Sequence, residues 1–321
     1  MSSYVDFGVC ALYVAPTLEA ALFKIKLWWR AFRPISYPAS VVPALLGIVL
    51  AWQAGFPIRI DLAIVTVSGA LAIHTATNLL QDYFDFENGV DRPGTLGGSG
   101  VLVEGRIRPR EIFFAAVLFF AISAAAAVPL ILHAGMPLVV LIAAGFVAGA
   151  GYAVPNFGFK YRALGDVAVF FAFGIGITLG SYIVQARSVS WTVVICAASF
   201  GLLVDGILHA NNMRDMEDDL RIGVRTLSAI LGERGSRVFF LCIIAGAYAV
   251  TLVSAAVGVI HIGALLSLVT LPLAIGLMRD VWRTTSASRE VLALAVGRTA
   301  MLSLVFGITM MMGIVGWQLF V

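Results

Sequence analysis

Residues 74–91 read His74-Thr-Ala-Thr-Asn78-Leu-Leu-Gln-Asp82-Tyr-Phe-Asp85-Phe-Glu87-Asn-Gly89-Val90-Asp91, and residues 209–224 read His209-Ala-Asn211-Asn212-Met-Arg214-Asp215-Met-Glu217-Asp218-Asp219-Leu-Arg221-Ile-Gly223-Val224. Each stretch closes a long apolar run. Both contain Asn-x-x-x-Asp-x-x-Asp, as Asn78/Asp82/Asp85 and Asn211/Asp215/Asp218, and each is followed by Gly-Val; the second copy is displaced by 133 residues. On a helix, at about 100° per residue, Asn78, Asp82 and Asp85 fall within roughly one-sixth of the circumference, and His74 shares their stripe. Asn211, Asn212, Asp215, Asp218 and Asp219 crowd one side of theirs. The chain therefore repeats one device: a helix whose apolar body ends in a face of amides and carboxylates.

The rest of the chain says what surrounds those helices. Of its 321 residues, 60% are hydrophobic and 12% charged, with mean hydropathy +0.98. Soluble domains run at about 45–50% apolar and about 25% charged, so soluble globular and disordered classes are excluded. Nine apolar runs can be counted, at roughly 37–54, 62–81, 112–133, 136–153, 164–185, 190–210, 238–258, 260–278 and 292–318. In hydrocarbon such runs must be helices, because an open strand leaves backbone groups unpaired. The fold expected is all-α: a polytopic membrane bundle of nine transmembrane helices. Residues 1–16 read as a tail that is a poor signal peptide, and 17–321 as a single domain with pseudo-repeat halves over roughly 37–160 and 164–290. Ahead of the first run, Thr17 to Arg33 alternates Leu18, Ala21, Leu22, Ile25, Trp28, Trp29 and Phe32 with Lys24, Lys26, Arg30 and Arg33, the pattern of an amphipathic helix lying in the membrane interface. Cys196 and Cys242 fall inside apolar runs and read as small core residues; with Cys10 they form no redox or metal spacing.

Charge orients the bundle. Nineteen of the 21 basic residues fall before run one, between runs two and three, four and five or six and seven, or between or at the edges of runs eight and nine; Arg59 and Arg187 are left for the opposite side. The positive-inside rule then puts the N-terminus and both aspartate-rich ends in the cytoplasm and the C-terminus outside. A net charge of +3 gives no reason to expect nucleic acid as a partner; the partner implied throughout is membrane lipid.

Carboxylates this dense repel one another unless a cation lies among them. Carboxylate and amide oxygens, completed by water and a diphosphate, suit Mg²⁺, and two such clusters facing one cavity suit two or more ions. One acidic cluster could merely edge a solvated loop. Two copies at equal spacing and equal membrane depth argue against that.

With these motifs the sequence resembles the UbiA superfamily of intramembrane prenyltransferases, over most of its length from Arg33-Pro34 onward. Within it, Arg33-Pro34 with Pro38-Ala39, Asn78-x-x-x-Asp82-Tyr-Phe-Asp85, Gly97-Gly98-Ser99-Gly100, Lys160-Tyr161-Arg162-x-x-Gly165-Asp166, Asn211-Asn212-x-Arg214-Asp215-x-x-x-Asp219 and Gly223-x-x-Thr226-Leu227 look most like the 1,4-dihydroxy-2-naphthoate polyprenyltransferases of menaquinone synthesis. Departures exist: Asp85 follows Asp82 by three residues where many members have four, and Tyr152-Ala-Val-Pro155 matches the family's Tyr-x-x-Pro only loosely.

The resemblance implies a fold of nine transmembrane helices and an Mg²⁺-dependent enzyme of the bacterial inner membrane. Its polyprenyl diphosphate donor would lose diphosphate to an aromatic acceptor, which sheds its carboxylate to give demethylmenaquinone. Asp82 and Asp85 would hold one metal and Asp215 and Asp219 the other, with Asn78, Asn211, Asp218 and Asn212 completing or orienting them. Arg33, Lys160, Arg162, Arg214 and Arg225 are candidates for the diphosphate, although the positive-inside rule alone also accounts for each. Tyr83 and Tyr152 could shield an allylic cation with their ring faces, or simply pack. Asp205 and His209, one turn apart inside run six, suit acceptor or proton handling and suit a helix–helix hydrogen bond equally.

Other acceptors are 4-hydroxybenzoate and homogentisate, with a glycerol phosphate ranked below them. A secondary transporter would also have repeats and membrane acids, but its site belongs near the midplane, and these clusters are terminal. The Asp-Gly-x-x-Ala-Arg pattern of membrane diphosphate-alcohol transferases is absent.

Overall fold

The computed structural model describes residues 7–152, 154, 158–284 and 289–320. The first six residues of the expected tail, Ala153 and Pro155 of the Tyr-x-x-Pro stretch, and the side chains of Cys10, Thr17, Leu18 and Arg289 lie outside the described set. Every described element is helical. In order they are α1 (Phe7–Phe32), α2 (Pro38–Gln53), α3 (Ile60–Glu87), α4 (Pro109–Ala134), α5 (Met136–Gly151), α6 (Gly165–Ala186), α7 (Trp191–Arg221), α8 (Leu227–Ala256), α9 (Ile262–Arg283) and α10 (Arg289–Phe320).

Each of the nine apolar runs falls on one of α2 to α10. Seven of these, α3, α4 and α6 to α10, are long and apolar enough to cross a bilayer. Helices α2 and α5 have 16 residues each, about 24 Å at 1.5 Å per residue against a hydrocarbon core of about 30 Å. α2 reaches spanning length only together with Glu19–Ser36, across a bend of 54°, so the described helices support seven spans, or eight with that broken one. The expectation of nine exceeds this because hydropathy registers a run's composition, whereas a helix of that length must also bridge the core.

Helix α1 begins at Phe7, inside the stretch expected to be a tail, and stops at Phe32. It stops because Arg33 precedes Pro34, which disfavours the right-handed helical conformation for the residue before it; Arg33 instead takes φ 55°, ψ 55°. Leu27, Trp28, Ala31 and Phe32 pack on a cluster with Leu79, Val101, Leu102 and Ile112. Leu22, Phe23, Ile25 and Trp29 remain exposed, as suits a helix half sunk in an interface. Cys196 is buried, but Cys242 is exposed on α8 and is not the core residue its sequence context suggested.

Helix α7 runs through the middle, packing on α8, α10 and α6, while α3 packs on α4. The α6–α7 crossing is closed by glycine. A π-helical stretch, Phe170–Gly176, brings Gly174 so near Gly201 that a Cβ on Gly174 would lie 2.3 Å from Gly201 Cα. Backbone cannot yield as a flexible side chain can. Gly174→Ala is therefore expected to cost about 1–3 kcal/mol, read as a lower unfolding temperature in detergent. Gly297→Ala, whose Cβ meets nothing within 4 Å, should leave that temperature unchanged.

Candidate active site

Helices α3 and α7 continue past their apolar bodies, so both Asp-rich stretches are helical to Glu87 and Arg221. The glycines that follow take φ 69° at Gly89 and 78° at Gly223. In both copies the next N–H turns back to the carbonyl of the last aspartate, Val90 to Asp85 at 2.8 Å and Val224 to Asp219 at 2.9 Å. This is the Schellman closure, which needs a left-handed residue just past the helix and is most easily met by glycine. It accounts for the repeated Gly-Val.

The two ends meet around one polar cavity, lined by Asp85, Asn211, Asn212, Asp215, Asp218 and Asp219, with Arg33, Lys160, Arg214 and Tyr152. Asp85, Asp215 and Asp218 are paired with cations there. Lys160 Nζ donates to both Asp85 oxygens at 3.0 and 2.9 Å. Arg214 grips Asp215 at 2.7 and 2.6 Å. Arg92 reaches Asp218 at 3.4 Å, tying the loop after α3 to the end of α7. Asp82 lies just beneath, with Arg33 Nη1 at 3.5 Å and the Ser99 N–H donating at 3.0 Å. Burial works against a charged Lys160 amine, but Asp85 and Asp219 outweigh it and hold the group well above its usual range.

One acid was missed in the sequence. Asp91 is buried, and its carboxyl is pushed up to about 7 by burial and by Asp85 and Asp82. It folds back because its N–H donates to Asp85 O at 2.9 Å. A Cβ on Gly98 would lie 2.3 Å from Asp91 Oδ2 and 3.2 Å from Asp82 Oδ1, and one on Gly97 would lie 2.9 Å from Asp91 Oδ1. The signal was the glycine at 89: a left-handed residue there reverses the chain and carries Asp91 back beside the helix end.

Other expected residues, apart from Asn212, which lines the cavity, sit away from its wall. Asn78 donates to Ser36 Oγ at 3.2 Å and to Phe32 O at 3.5 Å, and His74 bonds Ser36 and Ser40 at 3.1 and 2.6 Å. The stripe His74, Asn78, Asp82 thus brackets the turn bearing Arg33; its first two members hold the turn and Asp82 meets the guanidinium. His209, fully buried, bonds Asp166 Oδ1 at 2.6 Å and Ser236 O at 3.2 Å, and Asn212 joins it at Asp166 Oδ2 at 3.3 Å. This is the helix–helix reading. Asp205 Oδ1 is buried without a hydrogen-bond partner. Arg162 and Arg225 are exposed, and Tyr83 packs among Phe84 and Phe113.

Among the described residues no three acids, histidines or cysteines converge into a metal cage. Mg²⁺ does not require one: it is usually bound by one or two carboxylates plus water and substrate phosphates. The donors present are hard oxygens, and the Ser99 hydroxyl is buried without a partner beside them. That set fits Mg²⁺ held jointly with a phosphorylated ligand.

Tyr152 also lines a small apolar cavity with Thr77, Gly149 and Phe173, and that cavity shares Ile73, Gly145, Ala148, Ala168, Ala172 and Ile177 with a larger one. The larger cavity, about 590 Å³, runs along α6 from Leu164 to Val184 with walls from α3, α4 and α5.

Residues 40–303 match the model of the UbiA prenyltransferase family. The UbiA prenyltransferase domain-containing protein 1 of Xenopus tropicalis is 30% identical over 301 residues, covering 92% of this chain and 84% of that protein. The apo structure of a UbiA homolog from Aeropyrum pernix K1 superposes with a TM-score of 0.64 at 19% identity, covering 88% of this chain and 97% of that one. A UbiA homolog from Archaeoglobus fulgidus, bound to GPP and Mg²⁺, superposes at 0.59 and 14% identity, covering 89% and 99%.

Proposed function

The chain belongs to the UbiA prenyltransferase family, and we propose that it transfers a polyprenyl group from a polyprenyl diphosphate to 1,4-dihydroxy-2-naphthoate, with two or more Mg²⁺ ions, giving the quinol form of demethylmenaquinone. The observation that carries this reading is the continuity of the site: a polar cavity between two aspartate-bearing helix ends meets a lipid-like cavity at Tyr152. A diphosphate head on a long apolar tail has that shape and polarity.

The reaction asks three things of these residues. Arg33, Lys160 and Arg214 bind and orient the diphosphate, whose charge rises as its bond to C1 of the prenyl chain breaks. They are paired with Asp82, Asp85 and Asp215 in the structure; a diphosphate bound to those cations would leave the three carboxylates available to hold Mg²⁺. Mg²⁺, when bound, neutralises charge on the leaving group. Tyr152, between head and tail, puts its ring beside the carbon that becomes cationic. The apolar walls beyond it keep water from that carbon. A ring carbon of the acceptor then bonds to C1, and the acceptor releases its carboxylate as carbon dioxide.

The same reading has all of α2 to α10 crossing the bilayer, α2 and α5 as short members, since the charge partition holds only if both cross. The site then faces the cytoplasm, and the bacterial inner membrane is the membrane proposed with this reading.

The test is product formation in nanodiscs from a labelled polyprenyl diphosphate and Mg²⁺, with 1,4-dihydroxy-2-naphthoate and 4-hydroxybenzoate offered in parallel. A prenylated naphthol, lost on chelation, is expected. Product from 4-hydroxybenzoate alone replaces the acceptor and keeps the mechanism. Absence of Mg²⁺-dependent donor binding overturns the reading and brings the transporter forward.

A further inference from the structure

We propose that Arg30, on the interfacial helix α1, is a positioning residue for the diphosphate site: it latches the Gly97–Gly100 loop over Asp82 and Asp91. The inference rests on the reading of that site given above. Arg30 Nε donates to Ser99 O at 2.7 Å. Its two terminal nitrogens reach the Glu104 carboxylate at 3.1 and 2.5 Å, a fork-on-carboxylate geometry that fixes direction as well as distance. Ser99 is thereby held from both ends, since its N–H donates to Asp82 Oδ2 at 3.0 Å.

The loop is built for both approaches. Gly98 has φ 60° and Gly100 φ 73°, a conformation open to glycine at little cost. A Cβ at 98 would strike Asp91, and one at 100 would lie 2.9 Å from Arg30 Nη2. One glycine admits the carboxylates and the other admits the guanidinium. Just beyond, Val101 and Leu102 are buried in the cluster that includes Ala31, Leu27 and Trp28 of α1. The loop is thus moored to α1 by an apolar contact and by Arg30, and the Arg30 end is the one next to the carboxylates.

As a surface ion pair, with both side chains more than two-fifths exposed, Arg30–Glu104 adds little to stability. Its consequence is placement. Catalytic groups tolerate displacements of well under an ångström, and the Ser99 N–H that donates to Asp82, together with the Ser99 hydroxyl, is carried by this loop.

Arg30→Ala, assayed in nanodiscs, is expected to raise the donor KM and the half-saturating Mg²⁺ concentration about tenfold, the fold-change of one charge-assisted hydrogen bond. The acceptor KM and kcat at saturating donor and Mg²⁺ should stay near wild type. Arg30→Lys should recover part of the loss, since an amine can reach one partner but not fork across two. By hydrogen exchange, the amides of residues 98–100 should be less protected in Arg30→Ala. Equal protection in wild type and Arg30→Ala overturns the latch, whatever the substrate. So does a variant in which kcat and both KM values worsen together. A wild type that binds no donor with Mg²⁺ would overturn the assigned reaction instead, and the exchange measurement would still decide the latch.

Discussion

Asp82→Ala is expected to lower prenyl transfer at least about 100-fold, the scale on which enzymes lose rate when one charge-stabilising group is removed from the reacting centre. Asp82 is 2% exposed and sits between Arg33 and the Ser99 N–H, with Asp91 across Gly98. Its loss would take oxygens from the proposed metal set, and it leaves Arg33 without its acid. Asp82→Asn keeps the shape and an acceptor for Ser99 but no charge. It should fall nearly as far, which separates charge from packing. The measurement is the initial rate across an Mg²⁺ titration, with unfolding temperature as a control. A rate within tenfold of wild type at saturating Mg²⁺ would remove Asp82 from the reacting centre.

Lys160→Met should be the most destabilising change at the site. Lys160 and Asp85 come from segments 75 residues apart, and the amine donates to both carboxylate oxygens. Each residue is under 10% exposed. Removing one partner of a buried pair leaves an uncompensated charge and costs about 3–5 kcal/mol. Gln81, at 3.3 Å from Asp85, offers one neutral hydrogen bond in compensation. Lys160→Met/Asp85→Asn should recover most of the lost unfolding temperature while remaining inactive. A single Lys160→Met as stable as wild type would show that water already reaches Asp85.

How far the sequence reaches can be seen residue by residue. Periodicity placed Asp82 and Asp85 on one stripe and Asp215, Asp218 and Asp219 on one side of another helix. The structure brings these around a common cavity or, for Asp82, immediately under it. The same stripe included Asn78 and His74, and there the argument stopped short. A helical face and a depth do not say which neighbour stands opposite. At Asp82 it is Arg33 and a glycine loop; one turn earlier it is the Phe32–Ser36 turn, so the same face holds backbone instead of ligand. His209 shows the same limit, since its partner Asp166 lies 43 residues away. Asp91 lay beyond the helix, where a periodic argument has no purchase.

The sequence by itself determined the class, an all-helical bundle solvated by lipid, and the axial address of each charged group. Burial in hydrocarbon forces every backbone hydrogen bond inside its own helix, so both follow from local composition and spacing. Only the tertiary structure decided which acid faces which base, that α2 and α5 fall short of the membrane's thickness as single helices, and that Asp91 and the Arg30-moored loop belong to the site. Those outcomes depend on contacts between segments far apart in the chain. They are selected by packing, as where Gly174 meets Gly201 backbone to backbone, and no local pattern records them.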